Sequence, residues 1–144
     1  MELKIIVITL IIFFSSTFLT YATDKAEKIK FSFADKEVIV ILNNNDAAKD
    51  LLKQLPLTVE FTDYAGSEKI AYLPQKLNLG HASKSCNAKT GDLTYYIPWG
   101  NLAFFYKDYG QGSQLTPIGK IETGLEALLG INNKISVKIE KISQ

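Results

Sequence analysis

The stretch Gly91–Tyr109, GDLTYYIPWGNLAFFYKDY, holds the only Trp of the chain together with six of its Phe and Tyr residues. Two runs with strand character, Leu93–Ile97 and Leu102–Lys107, flank Pro98-Trp99-Gly100. Successive side chains of a strand point to opposite faces. Leu93, Tyr95 and Ile97 therefore share one face of the first run, and Leu102, Phe104 and Tyr106 share one face of the second. Those six read as core. Ala103, Phe105 and Lys107 share the other face of the second run, and Lys107 marks it as the wetter one. The centre of the chain thus reads as an antiparallel pair joined by a tight Pro-Trp-Gly connection.

Alternation continues toward the N-terminus. Ile29–Phe33 and Val38–Leu42 read as strands joined by a turn at Ala34-Asp35-Lys36. Asn43–Asp46 supplies helix N-cap residues, and Ala47, Ala48, Leu51, Leu52 and Leu55 follow at helical spacing. Pro56 ends that helix, because a proline disfavours the α region for the residue before it. Leu57–Phe61 and Glu68–Leu73 read as strands around a turn at Asp63–Ser67, the second packing through Ile70, Tyr72 and Leu73. Pro74–Thr90 is the least regular segment. Its length suggests a hidden short strand or a functional loop.

Toward the C-terminus, Tyr109–Thr116 reads as a Gly-, Gln- and Ser-containing loop and Pro117–Ile121 as a short strand. Thr123-Gly124-Leu125-Glu126 has the capping-box pattern, and Gly130 suits a left-handed C-terminal stop after a short helix Gly124–Leu129. Ile135–Ile142, ISVKIEKI, alternates as a last strand. About eight antiparallel strands commonly close into a barrel, which removes exposed edges.

Residues 1–22 read as a signal peptide: Lys4 is the basic start, Ile5–Phe14 is apolar apart from Thr9, and Thr20-Tyr21-Ala22 offers a cleavage site after Ala22. Uncleaved, Ile5–Ala22 is just long enough to act as a membrane anchor. Either way the remainder is expected outside the cytoplasm, secreted or periplasmic. Residues 23–28 then form a polar linker and 29–144 one domain. No Cys follows the apolar run to accept lipid.

Composition narrows the chemistry further. A formal net charge of +1 without a basic patch argues against a nucleic-acid partner. There is no Arg, which excludes bidentate guanidinium recognition. One His and one Cys are too few for a zinc site built from those residues, and a lone Cys cannot close an intramolecular disulfide. No metal or cofactor is expected.

PLTVEFTDYAGSEKIAYLP at Pro56–Pro74, GDLTYYIPWGNLAFFYKD at Gly91–Asp108 and TPIGKIETGLEALLG at Thr116–Gly130 resemble the cyclophilin-like fold families of bacteria. The similarity spans roughly Ile29 to Ile142, with NKISVKIEKI as the final barrel strand. It implies a mainly β fold: a closed eight-stranded cyclophilin-like barrel with two short helices covering its ends. True cyclophilins are peptidyl-prolyl isomerases whose catalytic strand carries an Arg followed by a Phe and a Gln. A fixed guanidinium can polarise the amide as its double-bond character is lost. This chain lacks both Arg and that strand motif, so no catalytic residue carries over.

The candidate ligand-binding residues are Trp99, Phe105, Tyr109, Tyr64 and His81, with Tyr96 joining them if it faces outward. Aromatic groups held on a turn between rigid strands bring contact area at little rotamer cost. Trp99 reads equally as a plug over the barrel end. His81 reads first as a solvated loop or capping residue, and second as a general acid or base paired with Cys86. The expected role is non-catalytic binding of a peptide or small molecule. A weak prolyl isomerase and an envelope interaction module are the alternatives.

Overall fold

The computed structural model describes residues 25–143. The signal peptide or anchor expected at residues 1–22 lies outside the described residues, as do Thr23 and Asp24 of the linker. Among the described residues, no helix is long and apolar enough to cross a membrane.

The elements in chain order are β1 (Lys28–Phe33), β2 (Lys36–Leu42), α1 (Asp46–Gln54), β3 (Leu57–Tyr64), β4 (Glu68–Tyr72), β5 (Ser85–Ala88), β6 (Asp92–Tyr96), β7 (Asn101–Phe105), β8 (Gly110–Ser113), β9 (Leu115–Thr123), α2 (Leu125–Leu129) and β10 (Ile135–Lys141). Eight strands close a barrel in the order β1-β10-β3-β4-β7-β6-β9-β2, every paired neighbour antiparallel. The mainly β eight-stranded barrel with two short helices agrees with the expectation. The irregular segment does hide a short strand: β5 pairs with β8 in a separate two-stranded sheet.

Inward-facing side chains fill the barrel. Phe31, Phe61 and Phe104 meet at its centre, with ring centroids 4.9–6.0 Å apart. Such edge-on and tilted aromatic contacts add to the gain from burial alone. The helices cover opposite ends. α1 follows the Leu42 end of β2 and buries Ala47, Ala48 and Leu51. The Asn45 side chain caps it, accepting from the Ala48 N–H at 2.9 Å, and Leu55 leaves in an extended conformation before Pro56. α2 packs at the other end through Leu128, and Ile131 follows it into the same core.

At α2 the expected caps do not form. Gly124 is the N-cap at φ 96°, no side chain caps the helix, and Gly130 has φ −72°, a right-handed value. A Cβ at Gly124 would collide with the backbone of Glu37 and Val38. The glycine is there for close approach to β2, and Thr123 stays in the last strand residue of β9 instead of turning to cap.

Four strand readings are corrected by the structure. Gly110–Ser113, expected within a loop, is strand β8, and β9 runs from Leu115 to Thr123 instead of Pro117–Ile121. The β5–β8 sheet covers the outer face of β7, so that face is not wet: Phe105 is 1% exposed and joins Ile70, Ala88, Ala103 and Leu115 in an outer cluster. In β4, Ile70 and the following Leu73 pack as expected, but Tyr72 does not. Ala71 packs in the main core, Ile70 in the outer cluster, and Tyr72 is exposed.

Lys69, on the same face of β4 as Ala71, is only 4% exposed. Its Nζ donates to Asp63 Oδ1 at 2.8 Å and to the Ile131 carbonyl at 2.6 Å, and lies 4.8 Å over the Tyr106 ring. The Tyr106 hydroxyl donates to the same Asp63 oxygen at 2.6 Å. A buried ammonium is tolerated because every contact is a partner for its charge. The group ties β3, β4 and the segment after α2 together at the barrel end. Tyr106, expected as core, lies just beyond β7 and is half-buried there.

Candidate functional site

The β6–β7 connection positions Trp99. Gly100 has φ 66°, and its N–H donates to the Tyr96 carbonyl at 2.9 Å. A left-handed residue that closes the loop on itself favours glycine. The preceding Trp99 side chain is thereby set outside the barrel, 45% exposed, instead of plugging it. Tyr64 closes β3 and Tyr96 closes β6. Both rings stand nearly perpendicular to the indole, at 5.5 Å and 89° and at 5.4 Å and 83°.

The opposite wall comes from the outer sheet. The Tyr109 N–H donates to the Ala88 carbonyl at 3.0 Å, and its ring leans on Phe105 at 5.2 Å. Together these rings enclose a cleft of about 240 Å³ whose lining also includes Ser67, Glu68, Asn101, Ser113 and Leu115. Ligand pockets for drug-sized molecules begin near about 300 Å³. This cleft therefore suits a small molecule or a single side chain. A groove of about 600 Å³ between α1 and Pro74–Asn78 is larger, but long polar side chains such as Lys53, Gln54, Gln75 and Lys76 wall it. It presents no converging rigid anchor.

Four of the five sequence candidates, Tyr64, Trp99, Phe105 and Tyr109, thus line one cleft. His81 does not. It is fully exposed on the loop after β4, where its N–H donates to Asp46 Oδ2 at 2.7 Å and its Nδ1 lies 3.4 Å from the same oxygen. That hydrogen bond to the backbone N–H of His81, aided by the nearby imidazole, holds the Asp46 carboxyl below the usual range. Asp46 is the first residue of α1, so the arrangement anchors a loop to a helix start. Cys86 is half-buried on β5 against the outer cluster. Burial, reinforced by Asp92, pushes its thiol up, which leaves it protonated and a poor nucleophile. No hydrogen bond joins the two side chains among the described residues.

Glu68 and Asn101 are the site residues that sequence reasoning missed. Glu68 opens β4, directly across from Tyr64 on β3 and from Phe105 on β7. Its side chain makes no hydrogen bond or ion pair among the described residues, and burial pushes its carboxyl above the ordinary range. Asn101 is 1% exposed; its Nδ2 donates to the Leu102 carbonyl at 3.1 Å, and its Oδ1 has no partner among the described residues. Strand parity counted outward from Phe105 would have pointed to Glu68, but only once the β4–β7 register was known.

The cleft has one carboxylate, no basic residue in its lining and no clustered metal ligands among the described residues. It can bind, orient and exclude water. Its lining carries hydroxyls and a single carboxylate but no His, Cys or Lys, and so no fixed cationic donor.

Comparison with known proteins agrees with the architecture. The profile of the Cyclophilin-like family matches residues 31–140. The chain belongs to the cyclophilin-like family. The solution structure of a hypothetical protein from Archaeoglobus fulgidus superposes on this cyclophilin-like domain with a TM-score of 0.61 at 20% identity, covering 81% of this chain and 95% of the other. At that identity the likeness speaks to the fold alone. No curated protein matches the sequence.

Proposed function

We propose that this cyclophilin-like domain is a non-catalytic binding module, exported from the cytoplasm, that receives a peptide side chain or a small organic molecule in its aromatic cleft. The observation that carries the reading is the convergence of Tyr64, Tyr96 and Trp99 beside Phe105 and Tyr109 on a rigid barrel face. Tyr64, Trp99 and Tyr109 are among the few large apolar side chains left exposed, and they sit at one place. Exposed apolar groups gathered in one patch mark contact surfaces, whereas scattered ones mean little. Export rests on the sequence of residues 1–22.

Trp99 is the only Trp, so its fluorescence reports the cleft without ambiguity. Titration with a panel of short peptides and small metabolites is expected to give a saturable change for some members, abolished by Tyr64→Ala. No response across a broad panel would overturn the binding reading. Proline isomerisation is expected to stay at background, because no guanidinium exists to polarise the amide. Catalysis well above background that disappears on replacing Trp99 would defeat the non-catalytic part.

A further inference from the structure

We propose, resting on the reading of this cleft as a binding site, that its ligand presents an alkylammonium group, held by the Glu68 carboxylate and the surrounding ring faces. Glu68 faces Tyr64 on one neighbouring strand and Phe105 on the other. Directly opposed residues of antiparallel strands have Cβ atoms about 5 Å apart. The carboxylate is therefore rooted among the aromatic walls. Trp99 packs edge-on against both Tyr64 and Tyr96, at near right angles to each, and all three rings line the cleft beside Glu68.

Neither Lys69 nor Lys107 pairs with Glu68. Lys69, adjacent in sequence, points to the other side of β4 and is bonded to Asp63 and the Ile131 carbonyl. Lys107 has its Nζ 5.9 Å over the Tyr106 ring. Glu68 is left without a partner charge among the described residues, in a lining that contains no Lys.

Each ligand class meets this arrangement differently. An anion would be repelled. A neutral apolar group would strip more water from an already half-buried carboxylate. An ammonium would pair with the carboxylate while resting against aromatic faces, which attract cations through their quadrupole. The cleft volume, about 240 Å³, fits a short alkyl chain bearing that group. The group could come from a free amine or from a lysine side chain.

The test follows the Trp99 indole N–H and cleft amides of the full chain by NMR. Three probes share a carbon skeleton and differ in charge: n-butylamine, 1-butanol and butyrate. At neutral pH, n-butylamine is expected to bind at least about tenfold more tightly than 1-butanol, a ratio worth one pairing interaction. Butyrate is expected not to bind. Glu68→Gln, checked for an unchanged spectrum outside the cleft, should bring the amine down to the level of the alcohol. A capped lysine dipeptide separates the sources: tighter binding than n-butylamine assigns a peptide, equal binding a free amine. Equal binding of amine and alcohol, or an amine preference that survives Glu68→Gln, would overturn the ammonium inference and leave the cleft as a binding site. Silence of the cleft signals to all probes, and to the peptide and metabolite panel, would overturn both.

Discussion

At the scale of single residues, the barrel end is held by a charge network with a pH signature. The hydrogen bond from Lys69, with a second from Tyr106, holds the Asp63 carboxyl below the usual range. A depressed carboxylate contributes stability above its unfolded value, near about 4, and loses it as pH falls through the folded value. Tyr106 behaves oppositely. Burial and its hydrogen bond to Asp63 push the phenol up to about 12. Its contribution is present below about 10 and is lost as pH rises toward the folded value. Urea midpoints measured across pH should therefore decline at both limits. Asp46 and Asp108, held low chiefly by backbone N–H donors from His81 and Thr90, share the acid limb. The difference between the wild type and Asp63→Asn isolates the Asp63 part, which should shrink toward pH 2. A difference independent of pH would show that Asp63 matters only by its shape.

At the scale of elements, the β1–β2 hairpin contains a correctable defect. Phe33 pairs with Lys36, leaving a two-residue turn in which Ala34 has φ 46°. A positive φ at the first turn position is where glycine is preferred, because a Cβ crowds the following carbonyl. Ala34 is exposed and removal of its methyl loses little packing. Ala34→Gly is expected to stabilise the domain by about 0.5–1 kcal/mol, after allowing for the greater freedom of glycine in the unfolded chain. Thermal unfolding checks this; a lowered midpoint would mean that unfolded-state entropy outweighs the turn strain. The same scale explains β8. Gly110-Gln111-Gly112-Ser113 has no alternating pattern, yet it becomes a strand because β5 offers it an antiparallel partner. Gly112 is buried against Leu115 and Tyr109, and a Cβ there would have to displace the Leu115 side chain.

At the scale of the whole molecule, the closed barrel leaves no exposed main-sheet edge, and the small outer sheet converts one of its faces into the floor of a cleft. A scaffold with no disulfide among the described residues relies on this packed core alone. The address of the molecule is a separate matter, and export is proposed from the sequence of residues 1–22 alone. Expression with export is expected to yield protein that begins at Thr23 by N-terminal sequencing and fractionates as soluble. A Met1 start with membrane fractionation would instead support an anchored form.

The main barrel was legible in the chain because its signals are local. Alternation at Val38–Leu42 and Ile135–Ile142, Asn45 before an apolar helical face, and Pro56 after it each act within a few residues. The absence of Arg likewise needs no coordinates. The site was legible only as a set of aromatic candidates, since Tyr64 and Trp99 meet through strand order, not through spacing. Glu68 gained its meaning from lying between Tyr64 and Phe105. Phe105 was misjudged as wet because exposure depends on what covers a strand, and the β5–β8 cover carries almost no strand signal of its own. The sequence by itself determined which segments of the main barrel extend, bend or coil, because backbone sterics and side-chain periodicity are properties of neighbours along the chain. Only the tertiary structure decided which faces are covered and which side chains converge, because register, parity and layering arise from pairings between residues far apart in it.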